Sequence, residues 1–467
     1  MSDWHNKSAL EIAAAVTGGA ASAKEIITAT LARIDANNSA LGAFTDVTAE
    51  RALKQAEIVD SARASGDVLG PLAGVPFAVK NLFDIEGLPT RAGSKINRER
   101  RAASEDATLV ERLEAAGAIL VGGLNMGEYA YDFTGENAHD GPSRNPHDLT
   151  HMSGGSSGGS GSAVGGGLVP LALGSDTNGS IRVPSSLCGI FGLKPTYGRL
   201  SRARTFPFVA SFDHLGPFTR SVGDLAASFD AMQGPDNADP TQAPRPAEPT
   251  RVDLEAGVEG LRIAKLGGYF ARGATADAFA AVERVASALN VAQVVELPEA
   301  HRARAAAYTI TMIEGATLHA EQLQARSADY DPDVRDRLIA GAMLPGLWAT
   351  KAQKFRSWFY RRALEVFETV DVLLAPATPC RAPKLGQKTF VLDGQAMLVR
   401  PNLGVFTQPI SFIGLPVVAV PVWTSGEKLP IGVQVIAPPW REDLALRVAR
   451  HLEREGVVSA PIGEGFA

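Results

Sequence analysis

The chain has 467 residues, 45% of them hydrophobic and 21% charged, with a formal net charge of -6 at pH 7. That balance supplies a large core and excludes a disordered chain, and the acidic surplus argues against a nucleic-acid surface and for a small substrate. The two cysteines, Cys188 and Cys380, are far apart and show no Cys-x-x-Cys spacing; with no secretion signal and no apolar run long enough for a membrane span, a soluble, cytoplasmic protein is expected.

In chain order, helical spacing runs from Ala9 to Ala36 with a break at Gly18-Gly19, and again from Ala49 to Ala64. Gly74 to Asn81 reads as a short strand ending in a lysine, Ala107 to Ala116 as a helix and Gly117 to Gly122 as a second strand, which is alternating α/β grammar. Asn145 to Met152 is polar and reads as coil. Ala163 to Gly174 carries no charge and reads as a buried helix-to-strand passage, and Cys188 to Thr196 as a core strand leading into a turn. Pro235 to Pro249 is rich in proline, alanine and aspartate and is the clearest surface excursion. Beyond it come a strand at Arg262 to Leu266, helices at Thr275 to Leu289 and Ala303 to Leu323, and strands at Val370 to Pro376, Gly414 to Pro421 and Ile431 to Ile436. A helix from Glu442 to Arg454 closes the chain.

Two serine-and-glycine segments flank the central apolar passage: Gly154-Gly155-Ser156-Ser157-Gly158-Gly159-Ser160 and Gly174-Ser175-Asp176-Thr177-Asn178-Gly179-Ser180-Ile181-Arg182. Such composition usually marks a flexible linker, but the uncharged run between the two is wrong for one. Glycines let backbone N–H groups approach a ligand, and serine is an oxygen nucleophile that needs only a base. Gly155-Ser156-Ser157-Gly158-Gly159 satisfies Gly-x-Ser-x-Gly, with His214, His301, His319 and His451 as downstream bases. That motif needs a strand just before its serine, which Asn145 to Met152 does not supply. No lysine stands where a phosphate-binding loop requires one. Lys80, at the end of an apolar strand, is either a surface lysine or a buried base of lowered pKa, and spacing alone leaves both open.

The two segments, with Val79-Lys80 ahead of them and Gly192-Leu193-Lys194-Pro195-Thr196 behind, resemble the signature of the amidase signature family, block by block and in order. The resemblance covers essentially the whole chain. It implies an α/β fold with a large mixed β-sheet covered by helices on both faces, as one domain over 1–467, with N-terminal helices at about 1–65 and a peripheral, largely helical excursion at about 235–370. It implies Ser180 as nucleophile, Ser156 as a bridging serine in a cis peptide and Lys80 as terminal base. The backbone amides of Thr177, Asn178, Gly179 and Ser180 are then the oxyanion hole. Asp176 and Arg182 take a structural role beside it. Asn178 stands where the family usually has glycine; asparagine tolerates a positive φ, and its amide also offers the pocket a donor or acceptor.

Tyr131, Thr134 and Asn137, in the polar loop before the first serine segment, and Arg337 are candidate substrate contacts, with Arg202, Arg204 and Arg91 as rival cations. Cys188 reads as a core residue, and the eight histidines form no metal-spaced cluster, so neither metal nor cofactor is expected. The expected activity is hydrolysis of a C–N amide bond in a small nitrogen-rich molecule through an acyl-enzyme. The alternatives are the glutaminase subunit of a tRNA-dependent amidotransferase, a general small-amide amidase and a non-catalytic subunit. The resemblance also implies a dimer of this chain and a small helical partner subunit, with no nucleic acid and no membrane.

Overall fold

A computed structural model of the chain describes residues 3–467. The opening helices are three: α1 (Ala9–Thr17), α2 (Ala23–Leu41) and α3 (Ala49–Ser65). Ser8 starts α1 in a capping box with Glu11, and the Gly18-Gly19 break separates α1 from α2. Between α2 and α3 lies a strand that the sequence pattern does not predict, β1 (Phe44–Val47), too short and too polar to show a period. There follow β2 (Pro76–Lys80), α4 (Thr108–Ala115) and β3 (Ile119–Leu124), close to their expected places.

Asn145 to Met152 is not coil. It holds β4 (Arg144–Asn145) and β5 (Asp148–Met152), an antiparallel pair. The pair is held by a side chain, which hydropathy does not reveal: Asn145 Nδ2 donates to the carbonyls of Met152 (3.1 Å) and Leu187 (2.7 Å), and its Oδ1 accepts from His147 N (3.0 Å). Helix α5 (Gly158–Gly165) begins five residues before the expected passage, inside the glycine-serine run, because all eight of its residues are buried and tertiary packing overrides their poor helix propensity. Next come β6 (Leu171–Asp176), α6 (Arg182–Cys188), β7 (Phe191–Lys194), β8 (His214–Thr219) and α7 (Val222–Met232). β8 is not legible as a strand in the sequence because its Gly216-Pro217 step reads as a breaker.

The segment 235–370 contains α8 (Ala276–Ala288), α9 (Ala300–Arg326), α10 (Pro332–Ala342) and α11 (Gly346–Phe367). It also sends β9 (Ile263–Leu266) and β10 (Val294–Val295) to one edge of the main sheet. The chain closes with β11 (Val372–Pro376), a hairpin of β12 (Thr389–Leu392) and β13 (Gln395–Leu398), the short helices α12 (Val399–Asn402) and α13 (Gln408–Phe412), β14 (Val417–Val422), β15 (Ile431–Ile436) and α14 (Glu442–Arg454).

Eleven strands form one mixed sheet in the order β1-β3-β2-β6-β8-β7-β14-β15-β11-β9-β10. Helices α5 and α6 pack on its central strands from one side, and α7 and α14 reach the same strands from the other, so both faces are covered. None of the described helices is long and apolar enough to cross a membrane. β2 runs parallel to β6, with Val79 opposite Leu173. Lys80 and Asp176 therefore leave the sheet at the carboxyl ends of adjacent parallel strands, where α/β sheets bind ligands.

At that end of the sheet two fully buried charges meet. Arg182 donates from Nε to Asp176 Oδ2 and from Nη2 to Oδ1, both at 3.0 Å, and from Nη1 to Gln434 Oε1 (2.7 Å) and the Thr407 carbonyl (3.1 Å). Ser411 Oγ donates to Asp176 Oδ1 at 3.0 Å. β6, α6, α13 and β15 are thus tied through one bidentate pair. Burial alone would push the Asp176 carboxyl up; the Arg182 guanidinium, with Lys194 and His214 nearby, holds it well below the ordinary range.

Arg182→Met leaves that carboxylate buried and unpaired, and a loss of about 3–5 kcal/mol is expected in urea unfolding. On α5, a Cβ at Gly159 would lie 2.5 Å from the Ala43 carbonyl oxygen and 2.6 Å from the Asn125 backbone. Gly159→Ala should therefore cost about 2 kcal/mol or more by the same measurement. Gly346→Ala, with nothing within 4 Å of the added carbon, should stay within about 0.5 kcal/mol of the parent.

Candidate active site

Lys80 is fully buried, and its Nζ lies 2.7 Å from Ser156 Oγ, 3.1 Å from Ser157 Oγ and 2.8 Å from Ser175 Oγ. Burial, opposed by the more distant charges of Asp213, Asp176 and Asp132, pushes its pKa down to about 7. A neutral amine has two N–H bonds and one lone pair. Ser157 spends its own proton on the Ser175 carbonyl at 3.2 Å, so Lys80 donates to Ser157. The second N–H and the lone pair are then shared between the Ser156 and Ser175 hydroxyls. The Gly155–Ser156 peptide bond is cis.

The sequence predicts one serine on Lys80, and the structure places three there. Ser157 and Ser175 stand inside the two serine-and-glycine segments, next to residues already singled out, so adjacency is the available signal. The Gly-x-Ser-x-Gly reading fails for a reason other than the expected one. A strand, β5, does precede its serine, but the polar partners of Ser157 Oγ are Lys80 and Ser175, and no histidine reaches it among the described residues.

Ser180 is 2% exposed and lies two residues before α6, on the wall of a cavity of about 20 Å³. Among the described residues, the backbone N–H groups of Thr177, Asn178, Gly179 and Ser180 donate to no protein acceptor, while the carbonyls of Asn178 and Gly179 are held. Thr407 Oγ1 donates to the Asn178 carbonyl and Val183 N to that of Gly179, both at 2.7 Å. In planar trans peptides this turns the N–H groups of Gly179 and Ser180 the opposite way. The left-handed residue here is Gly179, at φ 142°, where a Cβ would lie 2.1 Å from Thr407 Oγ1. Asn178 does not have a positive φ, so the backbone account of the asparagine is corrected. Its side chain is what distinguishes the position: it lines the cavity and donates from Nδ2 to Thr311 Oγ1 at 2.9 Å.

Of the four candidate substrate contacts, Tyr131 and Arg337 line this cavity and Thr134 and Asn137 do not. Thr134 builds a turn on Asp132 Oδ1, through its N (2.9 Å) and Oγ1 (2.8 Å). Asn137 pins neighbouring loops, its Nδ2 donating to the carbonyls of Gly93 and Met126, both at 2.7 Å. Short polar side chains in a loop satisfy backbone as readily as ligand, and composition does not tell the two apart. The Arg337 guanidinium sits 3.9 Å from the Tyr131 ring centre and donates to the Tyr131 and Asp333 carbonyls. Among the described residues it has no carboxylate partner, whereas Arg91 pairs with Asp46 and Asp140, Arg202 with Asp239, and Arg204 with Glu105 and Glu111. Tyr308 and Thr311 of α9 and Gln408 of α13 complete the wall, and nothing in the sequence signals any of the three.

A larger cavity, about 320 Å³, shares Ala130 and Phe208 with the first and reaches Ser175 and Asp213. It lacks Ser180, and its two arginines, Arg202 and Arg204, are already paired.

The family description "Amidase" matches residues 25–446. The chain is 51% identical to AtzE of Pseudomonas sp. (strain ADP), a 1-carboxybiuret hydrolase subunit, over 96% of this chain and 98% of that one. It is 38% identical to a glutamyl-tRNA(Gln) amidotransferase subunit of Anaeromyxobacter sp. (strain K), over 97% and 96% of the two. A solved structure described as an unexpected vestigial protein complex that reveals the evolutionary origins of an s-triazine catabolic enzyme superposes with a TM-score of 0.96 at 50% identity, covering 97% of this chain and all of that one. With the serine-lysine cluster, the free amides and this likeness over nearly its whole length, the chain belongs to the amidase signature family and is a hydrolase of amide C–N bonds.

Proposed function

We propose that this chain hydrolyses the terminal C–N amide bond of 1-carboxybiuret, releasing ammonia, with Ser180 as nucleophile, Ser156 as relay and Lys80 as base. The observation that carries the substrate is Arg337, a cation without a counter-ion among the described residues, on the wall of the cavity that holds Ser180. A carboxylate on the substrate supplies the missing partner. The relative named for this substrate shares half of the sequence.

Ser180 Oγ attacks the carbonyl carbon while its proton passes to Ser156 Oγ and the Ser156 proton to the neutral Lys80 amine. The oxyanion that forms takes the N–H groups of residues 177–180, each worth about 3 kcal/mol in the transition state. The C–N bond then breaks, and the proton on Lys80 returns through Ser156 to the leaving nitrogen, which departs as ammonia. Water attacks the acyl-Ser180 ester along the same relay and restores the serine.

A dimer of this chain and a small helical partner subunit belong to the same reading, supported by the complex in which the structural relative was described. Ile339, Met343, Leu347 and Trp348, exposed around the turn between α10 and α11, are an apolar surface of the kind that partners cover.

Ammonia release from 1-carboxybiuret, biuret and glutamine tests the assignment, and turnover of glutamine alone overturns it in favour of the amidotransferase reading. Arg337→Gln should lower kcat/KM for carboxybiuret about 10-fold more than for biuret, which lacks the carboxylate. Ser180→Ala should lose about 10³-fold or more.

Lys80 must be neutral to accept a proton, so kcat/KM is expected to rise with pH and level off above its pKa of about 7. The same group sets a stability signature. Its pKa is about 10.5 when unfolded and about 7 when folded, so between those values the unfolded chain binds the extra proton and stability rises with pH. Burying the charge costs about 4–5 kcal/mol below pH 7. Lys80→Met should therefore gain stability relative to the parent most at pH 6, with the gain shrinking steadily toward pH 10 in urea unfolding.

A further inference from the structure

The geometry points to Asn178 as a specificity-determining residue that accepts a hydrogen bond from an N–H on the acyl side of the scissile carbonyl, so that the site prefers ureido carbonyls to plain amides. This rests on the proposed roles of Ser180 and of the amides of residues 177–180.

Asn178 is 6% exposed and lines the cavity beside Ser180. One end of its amide is fixed, with Nδ2 on Thr311 Oγ1 at 2.9 Å. The other end, Oδ1, is buried without any partner among the described residues. A buried carbonyl oxygen without a donor is costly, and native structures rarely leave one so. Tyr131, whose hydroxyl is likewise buried without a partner, shares the same wall. The orphaned acceptor stands two residues before the nucleophile, on the segment whose amides face the reacting oxygen. On the proposed roles of that segment, the reacting carbonyl sits beside this acceptor, and the substrate's carboxylate is left for Arg337 on α10.

The chemistry follows from what flanks that carbonyl. A plain amide such as glutamine presents a CH₂ on the acyl side, which gives Oδ1 nothing and keeps it desolvated. A urea, biuret or acylurea presents an N–H there, which satisfies it. Sites built around a polar group reject the analogue that lacks the matching partner far more strongly than apolar sites reject a size change. Glycine, usual at this position in the family that the sequence resembles, has no such group.

Biuret and malonamide differ only by NH against CH₂ at the position in question and serve as the probe pair. Their kcat/KM values are compared in the parent, in Asn178→Gly, in Asn178→Asp and in Thr311→Val. Where turnover is too slow, their inhibition constants are taken against whichever of carboxybiuret or glutamine is hydrolysed. The parent should favour biuret by about 10- to 100-fold. Asn178→Gly should bring the two within about 3-fold, while Asn178→Asp, which keeps an acceptor and removes the donor, preserves the preference whatever its absolute rate. Thr311→Val, which releases the fixed end and leaves the oxyanion segment untouched, should reduce the ratio partway; it carries the test if Asn178→Gly fails to fold. A parent that does not favour biuret, or a ratio unmoved by Asn178→Gly and Thr311→Val, overturns the inference. Turnover of glutamine without carboxybiuret, with the biuret preference intact, overturns only the substrate named above and leaves Asn178 its role.

Discussion

The buried pair of Asp176 and Arg182 is the constraint on which the site depends. Neither side chain is exposed, and between them they engage β6, α6, α13 and β15 and the Thr407 carbonyl. Two charges taken out of water are stable only when every donor and acceptor is met with good geometry. That requirement fixes both ends of the segment from Asp176 to Arg182. Asp176 Oδ2 also accepts from Ile181 N at 3.2 Å, closing the loop on itself. The free amides of residues 177–180 are what remains once the carbonyls of Asn178 and Gly179 have been claimed by Thr407 and Val183. A loop held this tightly needs no reorganisation when charge develops on a ligand, which is the condition for electrostatic stabilisation.

The burial of Lys80 serves the same end by a different balance. Asp213, Asp176 and Asp132 all pull its pKa upward, yet desolvation outweighs the three together. Each carboxylate is occupied elsewhere: Asp176 by Arg182, Asp213 by Thr177 Oγ1 at 2.6 Å and the amides of Phe208 and Val209, and Asp132 by the turn at Thr134 and by Arg400. What touches the amine is hydroxyl. Had one of those carboxylates reached Nζ, the lysine would be a salt-bridged cation and useless as a base near neutrality. The stability given up at Lys80 is an instance of a site being strained for function while the surrounding core over-determines it.

Legibility in the sequence follows the physics of each element. The strands that end in functional residues, β2 and β6, are continuous apolar runs buried on both faces, and such runs stand out. The elements that the pattern misses are held by something other than hydropathy. β1 is four residues long; the β4–β5 hairpin hangs on one asparagine side chain; α5 is helical in spite of its glycines because the sheet and α6 enclose it. The motif residues are legible because their spacing is peculiar to one chemistry. The pocket residues are not, since Tyr308, Thr311 and Gln408 come from distant helices and reach the site only through the fold. The same gap explains Thr134 and Asn137, where nearness in sequence to the motif does not become nearness to the cavity.

That division has a consequence for how the site acquires a substrate. The groups proposed to react all come from strand ends and loops between residues 80 and 182, tied down by the sheet and by the Asp176–Arg182 pair. The walls that face Ser180 across the cavity come from α9 and α10, in the form of Tyr308, Thr311 and Arg337. α10 packs on α9, and α9 packs also on α11 and α13, while the strands that end in Lys80 and Asp176 are touched little. Walls built on helices apart from the serine-lysine cluster are how one fold carries many specificities. Asn178 lies on the segment proposed to hold the oxyanion, and its amide is anchored to Thr311 on α9. A change of ligand chemistry at that position must therefore be matched on both sides, and the Asn178–Thr311 hydrogen bond couples the two halves of the site, as the contact of Arg337 with the Tyr131 carbonyl does.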